Sequence, residues 1–195
     1  YKRRIHVRKS FQLGSFAMKK YNTNYDNKYL KMIEKDLKDL ENEIKFFYSL
    51  PIKIKKEIRV RYPKHLFYIY STMSTNNGFL SRPDKMYEFA IKGLNEIEKY
   101  SIGKNRNEDL FGAYHVAIIS SISNSNLNDA VYYLNQSKNI ATQLVASPEG
   151  VETVGRFISF QLPFIINAGL YAEAEDLINF IYNLLNPLLP HKVQR

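Results

Sequence analysis

Four histidines and 19 carboxylates are the main candidates for acid–base or metal chemistry in this chain of 195 residues. Cysteine, the other common metal ligand, is absent. Two ligands on one face of a helix lie three or four residues apart. The four histidines are His6, His65, His115 and His191. None of them has another histidine or a glutamate three or four residues away. His115, inside an apolar stretch, is interpreted as a hydrogen-bonded core residue. The histidines therefore predict no metal site.

The acidic residues and the loops carry no catalytic pattern either. Glu173, Glu175 and Asp176 crowd the start of a predicted helix, where the positive end of the helix dipole stabilises them. Gly103-Lys104 does not stand in a phosphate-binding loop, and no Gly-x-Ser-x-Gly elbow occurs. Without cysteine there is no thiol nucleophile. We therefore expect a protein that is not an enzyme and that needs no cofactor.

Basic residues form the clearest functional signal. The net charge is +9, yet residues 1–24 carry +7, residues 51–65 carry +5 and residues 107–190 carry −6. Two such basic segments need a counter-charge, which an RNA phosphate backbone supplies, with an anionic membrane surface as the alternative. We predict that RNA contacts the cations of these segments: Lys2, Arg3, Arg4, Arg8, Lys9, Lys19, Lys20, Lys53, Lys55, Lys56, Arg59, Arg61 and Lys64.

The first elements that position these residues are an arm and a long helix. Residues 1–24 show neither a helical nor a strand period, which predicts an extended basic arm. Residues 25–61 are predicted as a long amphipathic helix, stopped by Pro51, and a connector. The connector, residues 52–61, alternates Ile or Val with Lys or Arg, so a strand stays possible; we favour a short helix or an extended connector. The apolar stripe of the long helix is Tyr29, Ile33, Leu37, Leu40, Ile44 and Phe47.

Residues 62–187 predict a series of helices, followed by a tail at residues 188–195. Asn76-Asn77-Gly78 is typical of a loop and is predicted to begin the connection after the first helix. The predicted helices cover residues 64–75, 85–100, 108–121, 128–145, 148–168 and 172–185.

One of these helices has clear signals at both ends. Ser147-Pro148-Glu149 combines a capping Ser, a Pro at the first position and an early acid facing the dipole. Gly169 closes the helix, because glycine tolerates the left-handed conformation. Pro163 lies inside it and predicts a kink or a break near residues 159–163.

Two stretches in this region repeat one pattern. Ile122-Ser-Asn-Ser-Asn-Leu-Asn-Asp-Ala130 and Ile166-Asn-Ala-Gly-Leu-Tyr-Ala-Glu-Ala174 each end one apolar helix and open a second at the Ala. We align Ala90 with these two alanines, which gives spacings of 40 and 44 residues (130 − 90 and 174 − 130). Internal periods of this size indicate stacked helical hairpins.

The phrase Asn167-Ala-Gly-Leu-Tyr-Ala-Glu-Ala-Glu-Asp-Leu177 resembles the turn and second helix of tetratricopeptide (TPR) and pentatricopeptide (PPR) repeats. The resemblance covers residues 62–187 at most. It implies a superhelical scaffold for binding rather than catalysis. We therefore predict an all-α fold of stacked antiparallel helical hairpins, a TPR/PPR-like solenoid, with an extended basic N-terminal arm.

The leading hypothesis is a structural subunit of a large ribonucleoprotein assembly, best matched by a mitochondrial ribosome. The arm would bind RNA, most simply rRNA, while the hairpins contact neighbouring proteins. Because the chain begins at Tyr1 rather than Met, we expect a targeting peptide, a tag or another domain upstream. The expected location is the mitochondrial matrix, with the cytoplasm as the alternative. A subunit of another mitochondrial complex, of the respiratory-chain type, stays open.

A TPR-like regulatory receptor that binds a peptide is the alternative from a different class. It predicts an upstream DNA-binding domain and a groove lined by polar residues such as Asn135, Gln136, Asn139 and Gln161. The arm distinguishes the two hypotheses, since a receptor's arm links two domains whereas a ribonucleoprotein arm orders only on its partner. A membrane-spanning helix is not expected, because no run of about 18 apolar residues occurs.

Overall fold

The fold is described from a computed structural model that defines residues 12–22, 26–61, 64–100 and 106–186. These ranges are helical with short turns and contain no strand, which confirms the predicted all-α class. The helices are α1 (12–22), α2 (Lys28–Ser49), α3 (Ile52–Arg61), α4 (Lys64–Phe79), α5 (Pro83–Tyr100), α6 (Arg106–Ser123), α7 (Leu127–Leu144), α8 (Pro148–Asn167) and α9 (Tyr171–Leu185).

The chain divides into two compact units, Tyr1–Gly103 and Lys104–Arg195. In the first unit α4 pairs with α5, and α2 packs against α4. In the second unit α6 pairs with α7, and α8 packs against α6, α7 and α9. Adjacent helices therefore pack in pairs, as the hairpin pattern of the sequence predicts.

The apolar stripe of α2 forms the core of the first unit, as its spacing predicts. Ile33 and Leu40 have no exposed surface and pack with Leu66, Ile69 and Met73 of α4. A residue at every third or fourth position recurs on one side of a helix, so the stripe fits one neighbouring helix along its length.

Residues 12–22 form a helix, where the sequence predicts part of an extended arm over residues 1–24. Ala17 of this helix has no exposed surface and lies in the α2–α4 core. Gly14 lies so close to α4 that a Cβ atom there would be 2.1 Å from Asn76 Oδ1. Small residues let α1 approach closely, and its helical state comes from this packing. The remainder of the predicted arm lies outside the described residues.

Helix α4 continues through Asn76, Asn77 and Gly78, where the sequence predicts a loop. Asn76 is fully buried and its Nδ2 donates to Asp36 Oδ2 of α2 at 3.0 Å. Asn77 Nδ2 donates to the carbonyl oxygen of Met73 at 2.8 Å. Both amide nitrogens therefore donate to acceptors inside the fold, which outweighs the weak intrinsic preference of Asn for helix.

The ambiguous segment 52–61 is helix α3, the first of the two states favoured from the sequence. The amide of Lys55 donates to the carbonyl oxygen of Pro51 at 3.0 Å, which begins the helix. Ile52 and Ile54 are 70% and 40% exposed, so the alternation that suggests a strand does not bury its apolar side.

Helix α8 has the predicted ends. Ser147 Oγ accepts a hydrogen bond from the amide of Gly150 at 3.1 Å, and Pro148 occupies the first helical position. At the other end Gly169 has φ of +77°. The helix runs unbroken through Pro163, so the alternative of a break does not occur. Proline leaves the carbonyl of Ser159 without its helical donor, and this residue is exposed to water.

Three turns share one geometry at an identical spacing. Ser81, Ser125 and Gly169 have positive φ and lie 44 residues apart (125 − 81 and 169 − 125). After each, the next amide donates to the carbonyl oxygen five residues earlier: Arg82 to Asn77, Asn126 to Ser121 and Leu170 to Ile165. This closes the preceding helix in the same way each time.

The turns correct the alignment of the repeat. Met86, not Ala90, stands 44 residues before Ala130 and thus matches Ala130 and Ala174, so the spacing is uniform. The uniform spacing is hard to recognise in the sequence, because Ser at positions 81 and 125 takes the left-handed conformation that Gly takes at position 169. No single residue type marks the turn.

Candidate ligand-binding site

The contact between α6 and α8 in the second unit is built from aromatic rings. Phe157, Phe160 and Phe164 are spaced three and four residues apart and therefore share one side of α8. The ring of His115 on α6 lies 4.7 Å from Phe157 and 5.5 Å from Phe160, and Phe160 lies 5.7 Å from Phe164, between ring centroids. We call this row, His115 with Phe157, Phe160 and Phe164, the seam.

The seam is open to solvent at Phe160 and continues into a cleft. Phe160 is 58% exposed, although it contacts other rings. The cleft has a volume of about 300 Å³, at the lower end of the range for ligand sites. Its walls come from both hairpins of the second unit: Ile122, Ser125, Leu127, Phe164, Asn167 and Ala168. An apolar groove with a polar rim is therefore available between α6 and α8.

His115 contributes to the seam as a neutral ring. Burial lowers the pKa of His115 to about 4, so the imidazole is uncharged at pH 7. The predicted core position is confirmed, since only 9% of the residue is exposed. The predicted hydrogen bond is not found at Nδ1, which has no partner among the described residues. Its structural role is that of an aromatic wall.

Gln161 is buried on α8 with unused hydrogen-bonding groups. It is 1% exposed and belongs to the buried stripe of α8, between Ile158 and Ile165. Neither Oε1 nor Nε2 has a hydrogen-bond partner within the described part of the chain. Buried amides almost always have partners, which makes Gln161 an exception in the core of the second unit. The positions 44 and 88 residues earlier hold apolar side chains, Ala117 and Met73.

The polar groove of the receptor hypothesis is not formed as predicted. Asn135 and Asn139 are exposed on α7, whereas Gln161 is buried on α8. A side chain that is 1% exposed does not line an open groove. The aromatic groove beside α8 has a different lining, and the sequence signal for it is the spacing of the three phenylalanines.

The predicted RNA-binding residues fall on separate elements. Lys2, Arg3, Arg4, Arg8 and Lys9 lie outside the described residues; Lys19 and Lys20 lie on α1; Lys53, Lys55, Lys56, Arg59 and Arg61 lie on α3, and Lys64 begins α4. Helix α3 therefore gathers five of the thirteen on ten residues.

The described lysines of α3 differ in their surroundings. Lys55 Nζ donates to the carbonyl oxygen of Tyr48 at 3.0 Å, at the end of α2. Lys53 and Lys56 are exposed, and neither forms an ion pair with a described residue. Two cations of α3 are therefore available to an external anion.

Residues 12–22, 26–61, 64–100 and 106–186 contain neither a metal-ligating cluster nor a membrane-spanning helix. No group of three or more His, Asp or Glu side chains in these ranges is arranged to hold a metal ion. None of the helices formed by them is long and apolar enough to cross a membrane.

Comparisons of the chain with protein-family models, with curated proteins and with solved structures found no match.

Proposed function

We propose that this chain is a non-catalytic binding scaffold, a TPR/PPR-like array of helical hairpins that holds an apolar segment of a partner protein or peptide in the seam. The observation that carries the proposal is the 58% exposure of Phe160 beside an apolar cleft. Covering a large ring that is half open to water stabilises the complex by about 25 cal/mol for each Å² of apolar surface buried. Aromatic anchors of this kind supply much of the energy of protein interfaces.

The surroundings of the seam favour a particular chemistry in the ligand. The cleft accepts an apolar side chain between Ile122 and Phe164, while Ser125 and Asn167 offer polar groups at its rim. Residues 107–190 carry a net charge of −6, which favours an apolar segment flanked by basic residues over an acidic one. The ligand class is therefore a short apolar peptide segment with neutral or basic flanks.

Replacing Phe160 by glutamate is expected to weaken the binding of such a peptide at least tenfold, or about 1.4 kcal/mol. The introduced charge would have to be buried against the rings of the seam, which is unfavourable. The probe is a peptide selected from a random twelve-residue phage library on the wild-type chain. Its affinity is measured by fluorescence anisotropy with both proteins.

The matched control is Tyr132→Glu, because Tyr132 on α7 has the same exposed fraction of 58% and lies outside the seam. This variant is expected to bind the selected peptide as the wild type does. Equal affinity of the Phe160 variant and the wild type for every selected peptide would contradict the proposal, as would the failure of the library to yield any binder.

A second candidate function is RNA binding within a ribonucleoprotein, and the exposed lysines of α3 favour it. Lys53 and Lys56 stand three residues apart, so they share one side of the helix. Their charges have no counter-ion among the described residues. In this proposal α3 and the basic N-terminal segment lie on RNA, in an assembly such as a mitochondrial ribosome. The helical α1 weighs against it, because a ribonucleoprotein arm is expected to order only on its partner.

The double replacement of Lys53 and Lys56 by alanine is expected to flatten the salt dependence of RNA binding. Each lost phosphate contact lowers the slope of log K against log salt by about 0.7 to 0.9. The measurement is filter binding of a structured RNA across a salt series. The control is Lys35→Ala with Lys38→Ala, an exposed pair at the same spacing on α2. If both double variants keep the wild-type slope, α3 does not contact RNA.

A further inference from the structure

Helix α2 has no net charge in its sequence. Its 22 residues contain five lysines, Lys28, Lys31, Lys35, Lys38 and Lys45, and five carboxylates, Glu34, Asp36, Asp39, Glu41 and Glu43. Because the two signs are interleaved along the chain, the charge count does not predict a charged surface on this helix. In the folded unit the two signs are nevertheless separated.

Three of the five carboxylates of α2 are buried or paired within the first unit. Asp36 and Glu43 are 5% and 8% exposed, on the side of α2 that packs against α4. His65 Nε2 of α4 lies 3.8 Å from Glu43 Oε1. Glu34 Oε1 accepts a hydrogen bond from the guanidinium of Arg82 at 2.6 Å. Most of the negative charge of α2 is therefore buried or neutralised.

The lysines lie on the opposite, outer side of α2. The fifth, Lys28, is paired with Asp26 at 2.7 Å. The other four are exposed at spacings of four, three and seven residues, which places them within an arc of about 80° along a line of about 21 Å. None of these four forms an ion pair with a residue that the structure describes. We call them the lysine row: Lys31, Lys35, Lys38 and Lys45.

The lysine row is unfavourable for the helix by itself. Lys31 and Lys35 are four residues apart, and Lys35 and Lys38 are three apart. Like charges at these spacings are neighbours on a helix and destabilise it. A row of one sign that the described residues leave uncompensated attracts an anionic partner.

The row is narrow, and this limits the shape of the partner. Asp39 and Glu41 are exposed and lie about 80° to either side of the row. A flat anionic membrane or a nucleic-acid duplex is broader than a helix, so it would bring phosphates against both carboxylates. A single helix with acidic residues on one side contacts the row without meeting its flanks. The charge pattern therefore fits an acidic helix better than a phosphate surface.

We propose that the lysine row docks an acidic helix of a partner protein, in which carboxylates recur at spacings of three and four residues. Two helices lying side by side then place carboxylates opposite lysines along their length, as charged residues do between the helices of a coiled coil. This inference concerns the first unit alone. It depends neither on the peptide proposed for the seam nor on the lysines of α3.

Two designed peptides test the proposal by fluorescence anisotropy at low salt. One is an alanine-rich helix of about twenty residues whose five glutamates share one side. The other has the same composition, with the glutamates spread around the helix. The full chain is expected to bind the one-sided peptide about tenfold more tightly than the other. Equal affinity for the two peptides, or no binding of the one-sided peptide, would overturn the proposal.

A charge reversal locates the contact. Lys31→Glu with Lys38→Glu is expected to weaken binding of the one-sided peptide about tenfold or more. The matched control is Lys53→Glu with Lys56→Glu, an exposed pair on α3 that changes the net charge equally and is expected to leave this affinity within about twofold. Circular dichroism checks that both variants are folded. Equal losses for the two variants would mean that net charge alone attracts the peptide, which contradicts the proposal.

RNA and membranes are tested with the same variants. The reversal of Lys31 and Lys38 is expected to leave binding of a structured RNA, and of vesicles containing phosphatidylserine, close to that of the wild type. If this variant loses RNA or vesicle binding but keeps the one-sided peptide, the row binds phosphates and the proposed acidic helix is wrong.

Discussion

Replacing Gly150 by alanine is expected to lower the free energy of unfolding by about 3 kcal/mol or more, the upper part of the range for overpacking. A Cβ atom at this position would lie 1.8 Å from the carbonyl oxygen of Leu144 and 2.6 Å from its carbon. Both are backbone atoms, so no side-chain rotation relieves the overlap, and the start of α8 would have to move away from the end of α7. Urea unfolding followed by circular dichroism measures the change.

Gly155→Ala is the matched control for Gly150→Ala, because it makes the same substitution in the same helix. A Cβ atom at Gly155 meets no heavy atom within 4 Å. Alanine is the better helix former by about 1 kcal/mol, so this variant is expected to be at least as stable as the wild type. Equal unfolding midpoints for the two variants would show that the contact with Leu144 does not constrain α8.

The same substitution bears on the candidate site. Gly150 and the hydrogen bond to Ser147 Oγ set where α8 begins, and α8 carries the three phenylalanines of the seam. A shift of α8 would displace Phe160 relative to His115. Loss of peptide binding by a folded Gly150 variant would therefore be expected alongside its loss of stability.

Replacing Asn76 by aspartate is expected to destabilise the first unit by about 3 kcal/mol at pH 7, because it removes a buried donor and places a second carboxylate beside Asp36. The distance from Asn76 Nδ2 to Asp36 Oδ2 is 3.0 Å, and the two residues are 0% and 5% exposed. Aspartate has nearly the shape of asparagine, so the loss is electrostatic rather than steric.

The pH dependence identifies this mechanism. The introduced carboxyl is expected to have a folded pKa raised above its unfolded value of about 3.9. The folded state then binds more protons than the unfolded state, so stability falls as pH rises from about 4 through the raised pKa. Unfolding midpoints of the variant and the wild type should therefore converge towards pH 4 and diverge towards pH 7. A constant difference across this range would contradict the electrostatic account.

An exchange variant provides the control. Combining Asn76→Asp with Asp36→Asn restores one amide and one carboxylate at the same two positions. This double variant is expected to recover at least half of the lost stability at pH 7, since a buried donor again faces a carboxylate. Failure to recover any stability would mean that the pair itself is not what holds α2 against α4.

Several features of this protein follow from local sequence alone. The three-and-four spacing of apolar residues in α2 predicts its buried stripe, because helical periodicity is a property of neighbouring residues. The cap at Ser147 and the left-handed Gly169 are predicted for the same reason, since each depends on a few adjacent residues. The all-α class and the uneven distribution of charge are likewise readable from the sequence.

Other features were decided by contacts between residues far apart in the chain. Asn76 is helical because its amide meets Asp36, which stands 40 residues earlier. Helix α1 forms where small residues, Gly14 and Ala17, allow a close approach to α4. No local pattern encodes such a partner, and for this reason the sequence predicts a loop at one position and an extended arm at the other.

The seam and helix α9 also depend on tertiary packing. The spacing of Phe157, Phe160 and Phe164 places them on one side of a helix, but only the packing of α6 against α8 leaves Phe160 exposed and buries His115 as a neutral ring. Helix α9 is predicted from the sequence over residues 172–185, but only the structure shows that Ile178 and Tyr182 are exposed on it. Sequence periodicity sets which residues share a face, and tertiary packing decides which faces are covered, because burial depends on neighbours that local sequence does not specify.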